Sequence, residues 1–232
     1  MKTIRNLLKP FIGIVFPETC VCCRASTAGS GNSICSWCRT DRFESSENRN
    51  NDILPASVQF FYSMWLFDKG GYLQKLLHDL KYHYLMGVGE ELGFLLGKHF
   101  LNNAAQEIKE MLGQLQPVII PVPLHKNKIR KRGYNQARAI AVGVQRATGW
   151  DLAEKGTVLR VKSTKTQTGL SLSDRAENLR GAFSVNNKMI LEDRFVVLVD
   201  DVYTTGATTF ELAGTLLEAD ISGVGILTVA KA

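Results

Sequence analysis

Residues 194–218 read RFVVLVDDVYTTGATTFELAGTLLE. The apolar, β-branched run 195–199 is that of a strand buried on both faces, as in a parallel sheet, and two carboxylates, Asp200 and Asp201, end it abruptly. Beyond Val202 and Tyr203, hydroxyls crowd a single glycine in Thr204, Thr205, Gly206, Ala207 and Thr208. Phe210, Leu212, Ala213, Leu216 and Leu217 then recur at helical spacing, which sets Thr208 or Thr209 near a helix N-terminus. The order is strand, acidic pair, small turn, helix.

A helix N-terminus offers unpaired N–H groups and the positive end of the helix dipole, and Gly206 lets the backbone approach an anion closely. A phosphate suits that turn. The aspartates upstream repel a phosphate, but they accept hydrogen bonds from the vicinal hydroxyls of a ribose or hold a divalent cation through its waters. A ribose 5-phosphate therefore fits the segment from end to end. The plainer alternative is an ordinary strand-to-helix turn with solvated aspartates, against which stands a carboxylate pair flush with a buried strand.

The segment resembles the phosphoribosyl-diphosphate motif of type I phosphoribosyltransferases: hydrophobic strand, acidic pair, T-T-G-A-T turn. The resemblance implies that Asp200 and Asp201 bind the ribose hydroxyls, and that Thr204, Thr205, Gly206, Ala207 and Thr208 bind the 5-phosphate. Tyr203 stands where many members carry an aliphatic residue, a change to the floor of the site.

Length and composition fit one α/β domain plus a small module: 232 residues, 45% hydrophobic and 22% charged. The net charge of +6 is local. Residues 111–150 hold seven basic side chains and no acid, leaving 21 basic against 22 acidic residues elsewhere. Such an excess marks a polyanion site. No apolar run approaches the roughly 20 residues of a membrane span. The apolar run 11–16 is shorter than a signal-peptide core, so the chain reads as cytoplasmic. Ile4, Leu7, Leu8 and Phe11 are spaced for a short amphipathic helix docked on the protein.

All five cysteines lie between positions 20 and 38. Cys20 with Cys23 and Cys35 with Cys38 form two C-x-x-C knuckles, the ligand set of a tetrahedral structural Zn²⁺ site. Two disulfides are the competing pairing, disfavoured in a reducing cytosol. Cys22 is left as a free thiol or an alternative ligand. Residues 43–56 are polar and read as a linker.

Further along, 58–67 is aromatic and β-prone, 73–80 repeats leucine at helical spacing, and 90–115 reads as one long helix. The four histidines show no ligand spacing and read as structural or surface groups. Residues 118–122 (VIIPV) are a second buried strand, followed by a basic loop at 123–136 and a helix with Ala137, Ile140, Ala141 and Val144 on its apolar face. Two parallel strands carry both loops to the carboxyl edge of the sheet, where open α/β sheets bind ligands. Lys126, Lys128, Arg130 and Arg132 there are suited to a diphosphate leaving group, with Mg²⁺ sharing the charge. A nucleic-acid or nuclear-localisation patch is the competing reading of that run. Residues 157–161 are a strand, and 162–181 a polar closing lid with Lys165, Gln167, Arg175, Asn178 and Arg180 as its working residues. Residues 183–185 and 223–229 complete the sheet.

The cysteine module, PVPLHKNKIRKRGYNQ, TKTQTGLSLSDRAENLRGAF and VDDVYTTGAT occur in the order found in the ComF family of competence-associated proteins, which the whole chain from Cys20 onward resembles. The resemblance implies a type I phosphoribosyltransferase-like α/β domain at 58–232, a helix and four-cysteine zinc finger at 1–45, and a linker at 46–57. It implies phosphoribosyl diphosphate with Mg²⁺ as ligand and a ribosyl transfer to an acceptor it does not name. As further partners it points to single-stranded DNA and DNA-uptake or processing proteins. The alternative is a non-catalytic DNA-handling factor using the same basic loop.

Overall fold

The computed structural model describes residues 18–46, 53–163 and 179–232. The expected N-terminal helix (Ile4, Leu7, Leu8, Phe11) and lid residues Lys165, Gln167, Arg175 and Asn178 lie outside the described residues. Five parallel strands form the main sheet: β1 (Phe60–Leu66), β2 (Val118–Pro121), β3 (Asp151–Leu152), β6 (Phe195–Tyr203) and β7 (Gly223–Lys231), in the order β1-β7-β6-β2-β3. β4 (Val158–Arg160) and β5 (Phe183–Val185) stand apart as an antiparallel pair. Helices α1 (Tyr72–Tyr82), α2 (Met86–Asn103), α3 (Gln106–Leu115), α4 (Lys126–Arg132), α5 (Gln136–Thr148) and α6 (Ala207–Leu217) flank the sheet. The architecture is the α/β parallel sheet expected from the sequence.

Burial explains why β6 sits in the middle. Its first five residues are fully buried, odd and even positions facing two separate apolar clusters, and each such aliphatic side chain contributes about 1.5–3 kcal/mol when removed from water. The strand does not stop at the charge, as its apolar run alone implies. β7 continues beside it and holds Asp200 against Thr228 and Tyr203 against Lys231, so both aspartates lie within the pairing.

Three other expectations change, and one strand had no forerunner in the sequence. The stretch 90–115 is two helices, because Ala104 and Ala105 adopt extended ψ near 150° and part α2 from α3. The basic loop contains a helix, α4, opened by His125, whose Nδ1 accepts from Asn127 N–H at 3.3 Å, and closed by Gly133 at φ +77°. β5 pairs with β4 and is not part of the main sheet. The fifth strand, β3, is two residues long, too short to show periodicity.

Against one face of the sheet, α2 and α5 cross at backbone contact. Gly89, Gly93 and Gly97 follow one another at i, i+4 and i+8 on α2. A Cβ on Gly93 would lie 1.8 Å from the Ile140 carbonyl oxygen, and one on Gly143 of α5 would lie 2.0 Å from that of Glu90.

The cysteine module is tied to the same domain. Glu91 of α2 accepts hydrogen bonds from the N–H groups of Ser33 at 2.6 Å and Ile34 at 3.2 Å. Phe43 packs edge-on against Trp65 at 4.8 Å, and Ser45 forms an antiparallel bridge to Trp65 on β1.

Candidate functional site

The end of β6 carries the acidic pair. Asp201 is 5% exposed and Asp200 half-buried, and at this strand end their carboxyl groups lie within hydrogen-bonding reach of each other. The Asp201 N–H donates to Asp200 Oδ1 at 2.8 Å. Lys81, in the last turn of α1, places Nζ 2.5 Å from Asp201 Oδ2. Its helix buries Leu73, Leu76, Leu77 and Leu80, which fixes the direction in which Lys81 leaves, and the helix C-terminus favours a cation there. Burial and the neighbouring Asp201 charge push the Asp200 carboxyl well above the ordinary carboxylate range. Burial presses Asp201 the same way, but the Lys81 ammonium outweighs it and holds that carboxyl low.

The turn after β6 runs into α6 through Gly206, at φ +72°. No other residue fits, since a Cβ there would meet the Phe210 ring at 2.5 Å and the Tyr203 hydroxyl at 2.7 Å. Gly206 O accepts from Phe210 N–H at 2.8 Å and from Thr209 Oγ1 at 2.9 Å. Asp200, Val202, Tyr203 and residues 204–209 line a concave surface. Thr205 Oγ1 is buried there without a hydrogen-bond partner among the described residues, and a buried hydroxyl left this way is costly unless a ligand completes it. Tyr203 packs beneath the turn, its ring 4.2 Å from that of Phe61.

The four cations expected to act together lie on α4, where residues two apart point to opposite sides. Lys128 and Arg132, one turn apart, are half-buried, while Lys126, Arg130 and Lys131 are exposed. Burial, with Arg160, Arg132 and Lys81 nearby, presses the Lys128 ammonium below its ordinary value, and Asp200 acts against them. Arg132 also acts on Asp201 and donates to Gln136 Oε1 at 3.0 Å. Arg130 donates to Asn127 Oδ1 at 2.9 Å. The acidic pair thus faces Lys81, Lys128, Arg132 and Arg160, four cations to two carboxyls. Lys81 and Arg160 were not legible as site residues: one ends an amphipathic helix, the other alternates inward on a three-residue strand.

A separate cavity of about 640 Å³ lies between α4, α5 and segment 153–159, and neither aspartate nor the turn lines it.

The sulfurs of Cys20, Cys23, Cys35 and Cys38 all lie within 4.8 Å of one another. Cys20 and Cys38 are 3.9 Å apart, Cys23 and Cys35 3.7 Å. The edge of a tetrahedron with Zn–S bonds near 2.3 Å is about 3.8 Å, whereas a disulfide needs about 2.05 Å. All five cysteines are free. Backbone N–H groups of Cys35 and Cys38 donate to Cys20 and Cys35 sulfurs at 3.3 and 3.4 Å. Burial opposes thiolate formation at Cys20, but backbone donors bring that thiol down to about 6. Cys22 stays outside the quartet, its thiol pushed up to about 12 by burial and the neighbouring sulfurs. The quartet fits a Zn²⁺ ion.

Among the described residues no helix is long and apolar enough to cross a membrane. No protein-family model matches the chain. It is 39% identical over 122 residues to competence protein F of Haemophilus influenzae, covering 51% of this chain and 52% of that one. It is 32% identical over 156 residues to the DNA utilization protein YhgH of Escherichia coli K12, covering 66% and 65%. Competence protein ComFC of Bacillus subtilis is 34% identical over 101 residues, 44% of this chain and 38% of its own. The chain spans about half the length of the first of these relatives and just under two thirds of the second.

Proposed function

This chain belongs to the ComF family, with relatives named for competence and for DNA utilization, and from that premise we propose that it binds phosphoribosyl diphosphate and transfers its ribose 5-phosphate. One observation carries the reading: an acidic pair and a glycine turn with an unpartnered buried hydroxyl share one strand end, opposite four cations. The turn N–H groups and Thr205 take the 5-phosphate, and Asp200 and Asp201 take the ribose hydroxyls. Lys128 and Arg132 face the diphosphate. In the transfer, the bond from ribose C1 to the diphosphate oxygen breaks, and diphosphate leaves with the electron pair. A bond from the acceptor's nucleophilic atom to C1 forms, and the acceptor's proton is released to solvent. Cations already in place stabilise the departing charge without reorganising.

Mg²⁺ fits this site as part of the substrate rather than as a resident ion. Lys81 occupies Asp201 Oδ2, and the surrounding cations oppose a lone divalent ion. Chelated by the diphosphate, the ion arrives with its own anion. The cysteine quartet, with four sulfurs and no open position, would hold Zn²⁺ in a structural role.

The experiment is calorimetric titration of the full chain with phosphoribosyl diphosphate and Mg²⁺, beside Asp200→Ala/Asp201→Ala. Saturable binding lost in the variant supports the donor site, and unchanged binding sinks it. A second reading, that the protein handles single-stranded DNA without catalysis, is favoured by the outward face of α4, where Lys126, Arg130 and Lys131 are exposed. It requires strand binding that weakens steeply with salt and depends on those three residues. Retention of strand binding in the triple alanine variant would exclude that face.

A further inference from the structure

The charge of the acidic pair is held by an element distant in sequence. Lys81 follows directly on Leu80, which is fully buried, so the apolar face of α1 aims the lysine at the end of β6. The side chain of Asp201 is 7% exposed and that of Lys81 26%, with the 2.5 Å contact between them. The Tyr134 hydroxyl donates to the Leu80 carbonyl and ties the same turn of α1 to the segment after α4. Asp201 is faced by Lys81, Arg132, Tyr134 and Asp200. Asp200 is faced by Asp201, Lys81, Lys128 and Arg160.

Two adjacent carboxyl groups withdrawn from water hold one proton between them, and in a symmetric setting either can carry it. A carboxylate offers ribose hydroxyls acceptor oxygens alone, whereas a protonated carboxyl presents one O–H donor and fewer acceptors. Keeping the proton on one chosen partner therefore fixes the pattern of donors and acceptors that the hydroxyls meet. We infer that Lys81 is a positioning residue of this site: by pinning the Asp201 carboxylate to the end of α1, it fixes the orientation and charge of the acidic pair before any ligand arrives. The inference rests on the donor-site reading only for what the pair then binds. The opposite displacements of the two carboxyls, Asp201 low and Asp200 high, are what such a lock produces.

The test uses the full, zinc-loaded chain with ¹³C-labelled aspartate carboxyls, as wild type, Lys81→Met and Lys81→Arg. In the ligand-free protein, Lys81→Met raises the lower of the pair's two midpoints by more than about one pH unit, over tenfold in proton affinity. Lys81→Arg restores it. Where Lys81→Met does not fold, Lys81→Gln is titrated in its place. Phosphoribosyl diphosphate binding then falls several-fold in Lys81→Met about one pH unit below the variant's raised midpoint but less than about threefold about two units above it, where Asp201 is again ionised. A lysine that met only the diphosphate would cost the same factor at both. An unmoved midpoint, or a pH-independent loss, overturns the inference. Failure of the wild type to bind the ligand overturns the donor reading instead, and the carboxyl titration still decides on Lys81.

Discussion

Replacing Gly93 by alanine adds one methyl group to the middle of α2, a change that ordinarily stabilises a helix by about 0.8–1 kcal/mol. Here the sign reverses. The new Cβ would stand 1.8 Å from the Ile140 carbonyl oxygen, whereas Cβ contacts below 3.0 Å are essentially never seen, so α2 and α5 must part by about 1.2 Å. The obstacle is backbone, which no rotamer change relieves. Parting opens the contacts of Gly89 with Ala139 and of Gly97 with Ala147 on either side. Overpacking of this kind costs about 1–3 kcal/mol and occasionally more. With the propensity gain subtracted from the upper end, the net loss is about 2 kcal/mol, a fall of roughly 4–8 °C in melting temperature for a chain of this size. Gly113→Ala is the internal control: the same substitution on α3, exposed, with nothing within 4 Å of its Cβ. It raises stability by about 0.5–1 kcal/mol. Thermal denaturation of both variants, followed by circular dichroism, checks the pair. A Gly93→Ala protein melting at or above the wild type would refute the close crossing.

The remaining predictions concern the site and the metal. Gly206→Ala places a side chain at φ +72° against Phe210, costs about 1–2 kcal/mol, and weakens calorimetric binding of ribose 5-phosphate; unaltered stability and affinity together would contradict the turn geometry. Asp200 holds its proton in the folded chain at pH values where the unfolded carboxyl, near 3.9, has lost it, so it lowers stability as pH rises from about 4 through its folded value. Asp200→Asn removes that slope and is more stable than wild type at about pH 8 in urea titrations; an unchanged slope counts against the raised carboxyl. Asp201 has the opposite sign, stabilising above about pH 3.9 and losing that contribution as pH falls below it. Asp201→Asn costs about 1–3 kcal/mol at neutral pH, the lower figures allowing for the part-exposed Lys81, and is read from the same titrations. Stripping the metal with a chelator lowers the melting temperature and releases about one Zn²⁺ per chain in a colorimetric assay; no zinc in the freshly purified protein would defeat the assignment.

The features legible in the sequence are those whose physics is local. β6, its turn and α6 announce themselves because burial, charge and helical periodicity change within 25 neighbouring positions, and the cysteine pairs because a tetrahedral ion needs two tight turns. Lys81 was hidden because its partner lies 120 positions away, and nothing in YLQKLLHDLKY singles out the last lysine. The division of α4 into an inward and an outward row was lost once the segment was read as a loop, where spacing has no directional meaning. Its helix depends on two caps, His125 and Gly133, that periodicity does not register. The glycines of α2 were in plain view, but glycine in a helix pattern argues against helix until the partner that needs the space is known. β5 has the composition of any strand, and only its pairing with β4 removes it from the main sheet.

The bridge from Ser45 to Trp65 sets how the protein fails. β1 is the outermost strand of the sheet, and an unpaired strand edge is a template onto which other chains add. Residues 44–46 lie across that edge, so a metal held by the four cysteines would guard it from a distance. Chelation frees the segment holding Phe43 and Ser45 and leaves a row of backbone donors and acceptors open to a second molecule. Metal loss then registers as concentration-dependent precipitation ahead of any change at the acidic pair. A chelated sample that stops binding ligand has in the first instance lost its solubility, and light scattering recorded beside the binding signal separates that loss from damage to the site.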